Sequence, residues 1–155
     1  MRSLMIAALA TGAGLLGSCA PTPGMSPADM RPHFWKERVV LVFAPTPNDP
    51  RLAGQRAALA ADPRGMAERQ VVTYEVVGND AVSRGAERLA SKAVPEFRKR
   101  FNVPVDDFEV IVIGLDGLVK QRGDEVVDEQ ELFALIDAMP LRQAELNAAP
   151  PPARP

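Results

Sequence analysis

The 155 residues contain one thiol and one imidazole, Cys19 and His33. A thiol does redox or nucleophilic work as a thiolate, beside a base, a cation or a second cysteine, and Cys19 lies among Leu16, Gly17, Ser18 and Ala20 with none of these. A histidine acts as a zinc ligand or general base only with further ligands or an orienting group, and His33, next to Phe34 and Trp35, reads as a surface residue. Carboxylate and guanidinium chemistry remains. Asp107 before a strand and Asp116 in an Asp-Gly turn are explained by local structure. Asp49 stands at a helix start, close to Asn48, Arg51 and Gln55, and could be combined with Lys120, Arg122 or Arg142. No P-loop or dinucleotide-binding glycine pattern occurs, so no cofactor and no metal is expected. A net charge of -2 gives no positive field to recruit nucleic acid.

The surroundings of Cys19 suggest a different use for its sulfur. Arg2 precedes an apolar run from Leu4 to Leu16, and no further charge appears before Asp29. As a helix that run reaches roughly 20 Å, short of the ~30 Å hydrocarbon core of a bilayer, which fits an export signal better than a permanent span. The run closes in Leu16-Gly17-Ser18-Cys19, which resembles a bacterial lipobox, where the cysteine thiol receives a diacylglyceryl group. The expected organisation is a signal segment over 1–18 and a proline-rich tether over 19–33. A folded domain over 34–146 and a proline-rich tail over 147–155 complete it. Ala20 after the cysteine, with no aspartate to retain the chain, points to the periplasmic face of the outer membrane.

The elements of the domain are legible from pattern. Arg38–Phe43 is a continuous apolar run that suits a strand covered on both faces. Asp49-Pro50 is a helix start, the aspartate as N-cap and the proline where its missing donor does not matter, and Pro63-Arg64-Gly65 is expected to end that helix. Gln70–Val77 is a second β-branched strand. The Ala- and Arg-rich stretch from Ala81 to Phe101 reads as helical in one or two pieces, with Arg84, Arg88 and Lys92 on one solvated face and Arg98-Lys99-Arg100 further on. On such a face, lipopolysaccharide or phospholipid headgroups are the conceivable contacts. Phe108–Ile113 and Leu118–Gln121 flank Asp116-Gly117 as a hairpin. Asp128 with Glu131 opens a last helix whose Leu132, Ile136 and Met139 form a buried stripe, and Pro140 interrupts it.

The resulting order, β-α-β-α-β-β-α, predicts an α/β fold with a four-stranded mixed sheet and flanking helices, the arrangement of the thioredoxin-like fold. In thioredoxins the first core strand leads into Ala-Pro and then Cys-x-x-Cys at a helix N-terminus. Counting the same steps from Ala44-Pro45 places Pro47 and Pro50 where the two cysteines would stand. The redox site is absent, and no thiol-disulfide oxidoreductase activity is expected.

Phe34-Trp35-Lys36, Arg38 leading into VVLVFAP, and Asp49-Pro50-Arg51-Leu52 with Gln55 together carry a family resemblance. It continues through Phe108–Val112, Gly114, Asp116-Gly117, Val119-Lys120 and Arg122, and ends in Leu132-Phe133, Ile136-Asp137 and Met139–Gln143. With these the chain resembles the bacterial branch of a domain of unknown function called DUDES, with relatives in vertebrate sushi-repeat and matrix-associated extracellular proteins. The resemblance implies a cysteine-free thioredoxin-like domain in an exported protein, with no established activity. Three functional readings follow. The first is a non-enzymatic binding or scaffolding module whose loop around Asn48, Asp49, Arg51 and Gln55 receives an anion or an envelope protein. The second is an enzyme built on Asp49 with Lys120, Arg122 or Arg142, and the third a purely structural envelope protein.

Overall fold

The computed structural model describes residues 26–79 and 81–148. The signal segment, Cys19, the first part of the tether and the tail from 149 lie outside the described residues. Among the described residues no helix is long and apolar enough to cross a membrane.

The organising element is β1 (Arg38–Ala44), buried at all seven positions because layers cover both faces of the sheet. It pairs in parallel with β2 (Val71–Val77) and antiparallel with β5 (Glu109–Ile113), which pairs antiparallel with β6 (Val119–Gly123). Val39, Leu41 and Phe43 point to one side, where α3 (Ala93–Phe101) packs with Val94, Phe97 and Phe101. Val40, Val42 and Ala44 point to the other side, against Leu52 of α1 (Pro50–Ala60), Met66 of α2 (Pro63–Glu68), and Leu132 and Ile136 of α4 (Glu129–Asp137). α5 (Pro140–Ala148) closes the described chain. The period-two alternation of a strand thus divides one apolar run between two cores.

Four departures from the sequence reading have local causes. The sheet has six strands, not four. The added pair, β3 (Ala81–Arg84) and β4 (Glu87–Leu89), occupies the first part of the stretch expected to be helical and gives the order β4-β3-β2-β1-β5-β6. Gly85 at φ +55 makes the turn between them, and Val82 is fully buried between two partly buried neighbours, a strand period that the Ala- and Arg-rich composition hides. Arg84, Arg88 and Lys92 therefore share no helical face: Arg84 lies on β3 and pairs with Glu37, Arg88 lies opposite Ser83 on β4, and Lys92 precedes α3.

Pro63 opens α2 instead of only ending α1, because Asp62 accepts from Gly65 N–H and repeats the Asp-Pro start of α1. Pro140 likewise begins α5, which runs to Ala148 and so past the expected domain end at 146. At the other boundary, Ala28, Met30 and His33 are buried, the first two in the α3-side core. The packed part thus starts inside the stretch expected to be a tether.

Candidate functional site

The loop after β1, where thioredoxins carry their thiols, runs through Pro47, Asn48, Asp49 and Pro50 into α1. Asp49 caps the helix: one carboxylate oxygen accepts Arg51 N–H at 2.8 Å and Arg51 Nε at 3.1 Å, and the other accepts Arg51 Nη2 at 2.8 Å. These bonds from Arg51 hold the carboxyl below its usual range, against the opposing effect of burial. The Arg51 guanidinium in turn lies 4.8 Å from the centre of the Phe108 ring. Asn48 is exposed, and of the four loop candidates only Asn48 and Arg51 present side chains to solvent.

Gln55 presents nothing. It is 1% exposed and clamps the strand-to-helix connection before α4, donating to the Val127 carbonyl at 3.0 Å and accepting Val127 N–H at 2.9 Å. Its expected place in a binding surface is thus corrected to one inside the core. The signal for this was available in the spacing, because Gln55 follows Leu52 at i+3 on the inward face of α1.

The three distant candidates divide between the two ends of the sheet. Arg122 lies at the Asp49 end, tied to Glu109 and, at 2.7 Å, to the Phe101 carbonyl. Lys120 bonds Asp116 at 2.6 Å beside the β5–β6 turn. Arg142 on α5 contacts Asp137 at 3.3 Å and Glu145 at 3.1 Å. Both belong to the opposite end, since β5 is antiparallel to β1 and Glu145 also bonds Arg38 at the start of β1. The pairing of Asp49 with Lys120 or Arg142 that a carboxylate-guanidinium enzyme would use is therefore not formed.

Two groups missed in the sequence shape these ends. Arg98, which was read as part of a solvated basic run, is 8% exposed and donates to the carbonyls of Ala44 at 3.0 Å, Gly78 at 3.1 Å and Pro104 at 2.6 Å. Burial lowers its pKa, opposed by Asp106 and Asp107. The readable signal was its register with Val94, Phe97 and Phe101 on the inward face of α3. His33 is 5% exposed, not a surface residue. Its Nδ1 meets Glu37 at 2.5 Å and its Nε2 the Tyr74 hydroxyl at 3.0 Å, and Glu37 at i+4 was the available clue.

Beside Arg51 an open cleft of about 400 Å³ is lined by Asp106, Asp107, Phe108, Glu109, Gly123 and Asp124. Asp106, Asp107 and Asp124 take part in no ion pair among the described residues, while Glu109 holds Arg122. Among the described residues no three acidic, histidine or cysteine side chains converge closely enough to hold a metal ion.

Comparison with known proteins agrees with this architecture. The mouse sushi-repeat-containing protein SRPX is 29% identical over 118 residues, 73% of this chain and 25% of that protein. The human sushi repeat-containing protein SRPX2 is 26% identical over 126 residues, 79% of this chain and 27% of that protein. The chain thus spans about a quarter of the length of these curated relatives. Among solved structures, a Plasmodium yoelii thioredoxin peroxidase I matches with a TM-score of 0.53 and 20% identity, covering 79% of this chain and 82% of that one. The reduced 2-Cys peroxiredoxin of Plasmodium vivax matches with a TM-score of 0.52 and 19% identity, covering 74% and 83%. These likenesses establish a thioredoxin-like fold. A family model described as domain of unknown function DUF4174 matches residues 29–145, most of the chain, and to that family this protein belongs.

Proposed function

We propose that this chain is a non-enzymatic binding module of the cell envelope, exported by its N-terminal segment and held by lipid at Cys19 on the periplasmic face of the outer membrane. The observation that carries the binding reading is the loop after β1. Where related folds place a reacting pair, this chain has a thiol-free turn whose one carboxylate, Asp49, is already committed to a helix cap and to Arg51. That turn borders an open cleft with three carboxylates outside any described ion pair, Asp106, Asp107 and Asp124. Such a wall attracts a basic, hydrogen-bond-donating segment and repels an anion, so the partner is an envelope protein and not an anionic ligand.

Capture of the mature chain's partners from solubilised envelope membranes tests this, with charge reversal at Asp107 and Asp124 as the comparison. The expected result is a reproducible partner that D107K/D124K no longer retains. Recovery of the same proteins by the reversed variant, or no reproducible partner at all, overturns it. The anchor is tested separately: Cys19→Ser should accumulate as unprocessed precursor without lipid label, and normal processing with equal membrane retention would exclude the lipoprotein assignment. The mature domain is also expected to leave insulin disulfides intact.

A further inference from the structure

The end of the sheet opposite the cleft displays its apolar side chains instead of burying them. Trp35, the single tryptophan, is 70% exposed, and Leu118 and Val119 are 62% and 51% exposed. They sit together. Trp35 N–H donates to the Leu115 carbonyl at 2.8 Å, Gly114 N–H donates to the Leu118 carbonyl at 3.0 Å, and the Phe34 ring packs directly on Gly117. Gly117, at φ +75, is the residue that lets the turn come this close, because any Cβ there would collide with that ring. Leu141 adds a further half-exposed side chain on the α5 side, next to Leu115 and Lys120.

Trp35 itself has φ +63, a left-handed conformation that a bulky residue rarely adopts. Here the strained backbone projects an indole into water. Strain of this kind is retained where the displayed group has a use.

The chain leading to Cys19 keeps the domain close to whatever holds that residue. Ser26 hydroxyl donates to Glu96 of α3, in the segment that packs Ala28 and Met30 into the α3-side core ahead of Trp35. Seven residue steps separate Cys19 from Ser26, a reach of at most about 25 Å. The charges are compatible with a lipid surface. Asp29 is neutralised by Arg31, Asp116 by Lys120, and Glu37 is bonded to His33 and Arg84, while Lys36 is exposed next to Trp35. Tryptophan flanked by a lysine and aliphatic side chains is the composition that settles at a membrane interface.

We infer that Trp35, Leu118 and Val119 form a second, non-covalent membrane contact that seats the domain on the bilayer that holds its lipid. This rests on the reading of Cys19 as the lipid-bearing residue. It orients the molecule: the Trp35 end lies down on the headgroups and the acidic cleft faces away, open to an envelope protein.

The test uses two singularities of the chain. With one thiol and one tryptophan, the mature protein can be coupled through Cys19 to a maleimide-headgroup lipid in phosphatidylcholine vesicles and read through Trp35 fluorescence. The expected result is a shift to shorter wavelength on coupling and quenching by lipids brominated near the headgroup. Both should be lost in Leu118→Glu and retained in Thr46→Glu, which places the same charge at the cleft end. Unchanged emission of the coupled wild-type chain overturns the inference. So does a shift that depends on protein concentration without vesicles, which would assign the patch to a second copy. The chemical anchor replaces cellular lipidation, so failure here and failure of the Cys19→Ser test are separate outcomes.

Discussion

Each end of β1 is closed by a buried arginine, but the two are satisfied in different ways. At the cleft end, Arg98 donates to three backbone carbonyls from three chain segments, Ala44, Gly78 and Pro104. At the Trp35 end, Arg38, 0% exposed, donates to the Arg69 carbonyl at 2.9 Å and to Glu145 of α5 at 2.9 Å, and its Nε has no partner among the described residues. One arginine is a tie among fixed dipoles that do not titrate. The other is an ion pair to a terminal helix, with one donor buried and unused. The rigid end is thus the one next to the cleft, where Arg98 holds the Pro104 carbonyl two residues before Asp106, and the end that depends on a carboxylate is the one proposed to rest on lipid.

The largest expected effect breaks the tie. Arg98→Met keeps the apolar stem but leaves the Gly78 carbonyl without a donor among the described residues, and takes one of two donors from the Ala44 and Pro104 carbonyls, which keep Gly78 N–H and Asp107 N–H. At ~1–3 kcal/mol for the unpaired group and ~1 kcal/mol for each further bond lost, the total is about 4 kcal/mol. Urea unfolding with an unchanged slope measures it. A loss below about 1 kcal/mol would mean that water replaces the guanidinium, and that this end of the sheet is not held by Arg98. Arg98→Lys should recover only part, since an ammonium cannot span the same three directions as a planar guanidinium.

Gln55 extends the same logic to α1. Gln55→Leu fills the space but orphans both Val127 N–H and C=O, and an expected loss of about 2–3 kcal/mol follows from the same accounting of buried groups. A variant as stable as the parent would show that the Val127 segment finds other partners.

These two residues also show where the sequence was legible and where it was not. β1 was readable because an apolar run without alternation can only be covered on both sides, and the Asp49-Pro50 and Asp128–Glu131 starts because capping is local chemistry. The Asp116-Gly117 hairpin and the Leu132, Ile136 and Met139 stripe are equally local, and the structure buries all three stripe residues. The β3–β4 hairpin was missed because its Ala, Arg and Glu residues favour helix, while pairing with β2 decides the outcome. The spacing of Arg98 and Gln55 shows that they point inward but not what satisfies them there, because the partners of a polar residue in a core can lie far along the chain. For Gln55 and Val127 that separation is 72 residues, beyond any periodic pattern.

The Arg38 end should respond more weakly and in a different manner. Glu145→Gln removes the charge facing a buried guanidinium and is expected to destabilise by about 1–2 kcal/mol, reduced from a fully buried pair because Glu145 is partly exposed. Arg38→Met should be tolerated better, within about 1 kcal/mol, because it also removes the orphaned Nε and its desolvation. If Arg38→Met costs as much as Arg98→Met, the contrast between the two ends fails.

Acid sharpens the contrast with a smaller effect. The Asp29 carboxyl, bonded by the Arg31 side chain and backbone, is lowered from 3.8 to about 2. A depressed folded-state value means that its contribution is complete above the unfolded value and is lost as pH falls through the folded one. The window is therefore about pH 4 to 2. Asp29→Asn should flatten the acid limb of the stability curve in that window, whereas Arg98→Met should shift the curve without changing its shape there. An unchanged acid limb in Asp29→Asn would mean that the Asp29–Arg31 pair does not hold the segment before β1.

The smallest effect concerns Asp49, whose two carboxylate oxygens do different things. Oδ1 supplies the cap by accepting Arg51 N–H, while Oδ2, with a further contact from Oδ1, fixes the Arg51 guanidinium at the edge of the cleft, where Asp124 and Asp107 also act on it. Asp49→Ala removes both functions and should lower the melting temperature. Asp49→Asn keeps a cap oxygen of equal quality and should restore most of it. Neither variant carries the charge that fixes Arg51 at the edge of the cleft. If the cleft receives a basic partner, freeing Arg51 places a competing cation in it, and Asp49→Asn should be stable yet recover less of that partner. Melting curves and partner capture on the same two variants separate these roles. Asn melting as low as Ala would show that the ion pair, not the cap, stabilises this turn. Asn melting like the parent and capturing the partner undiminished would leave Asp49 a helix cap alone, and would place recognition away from Arg51.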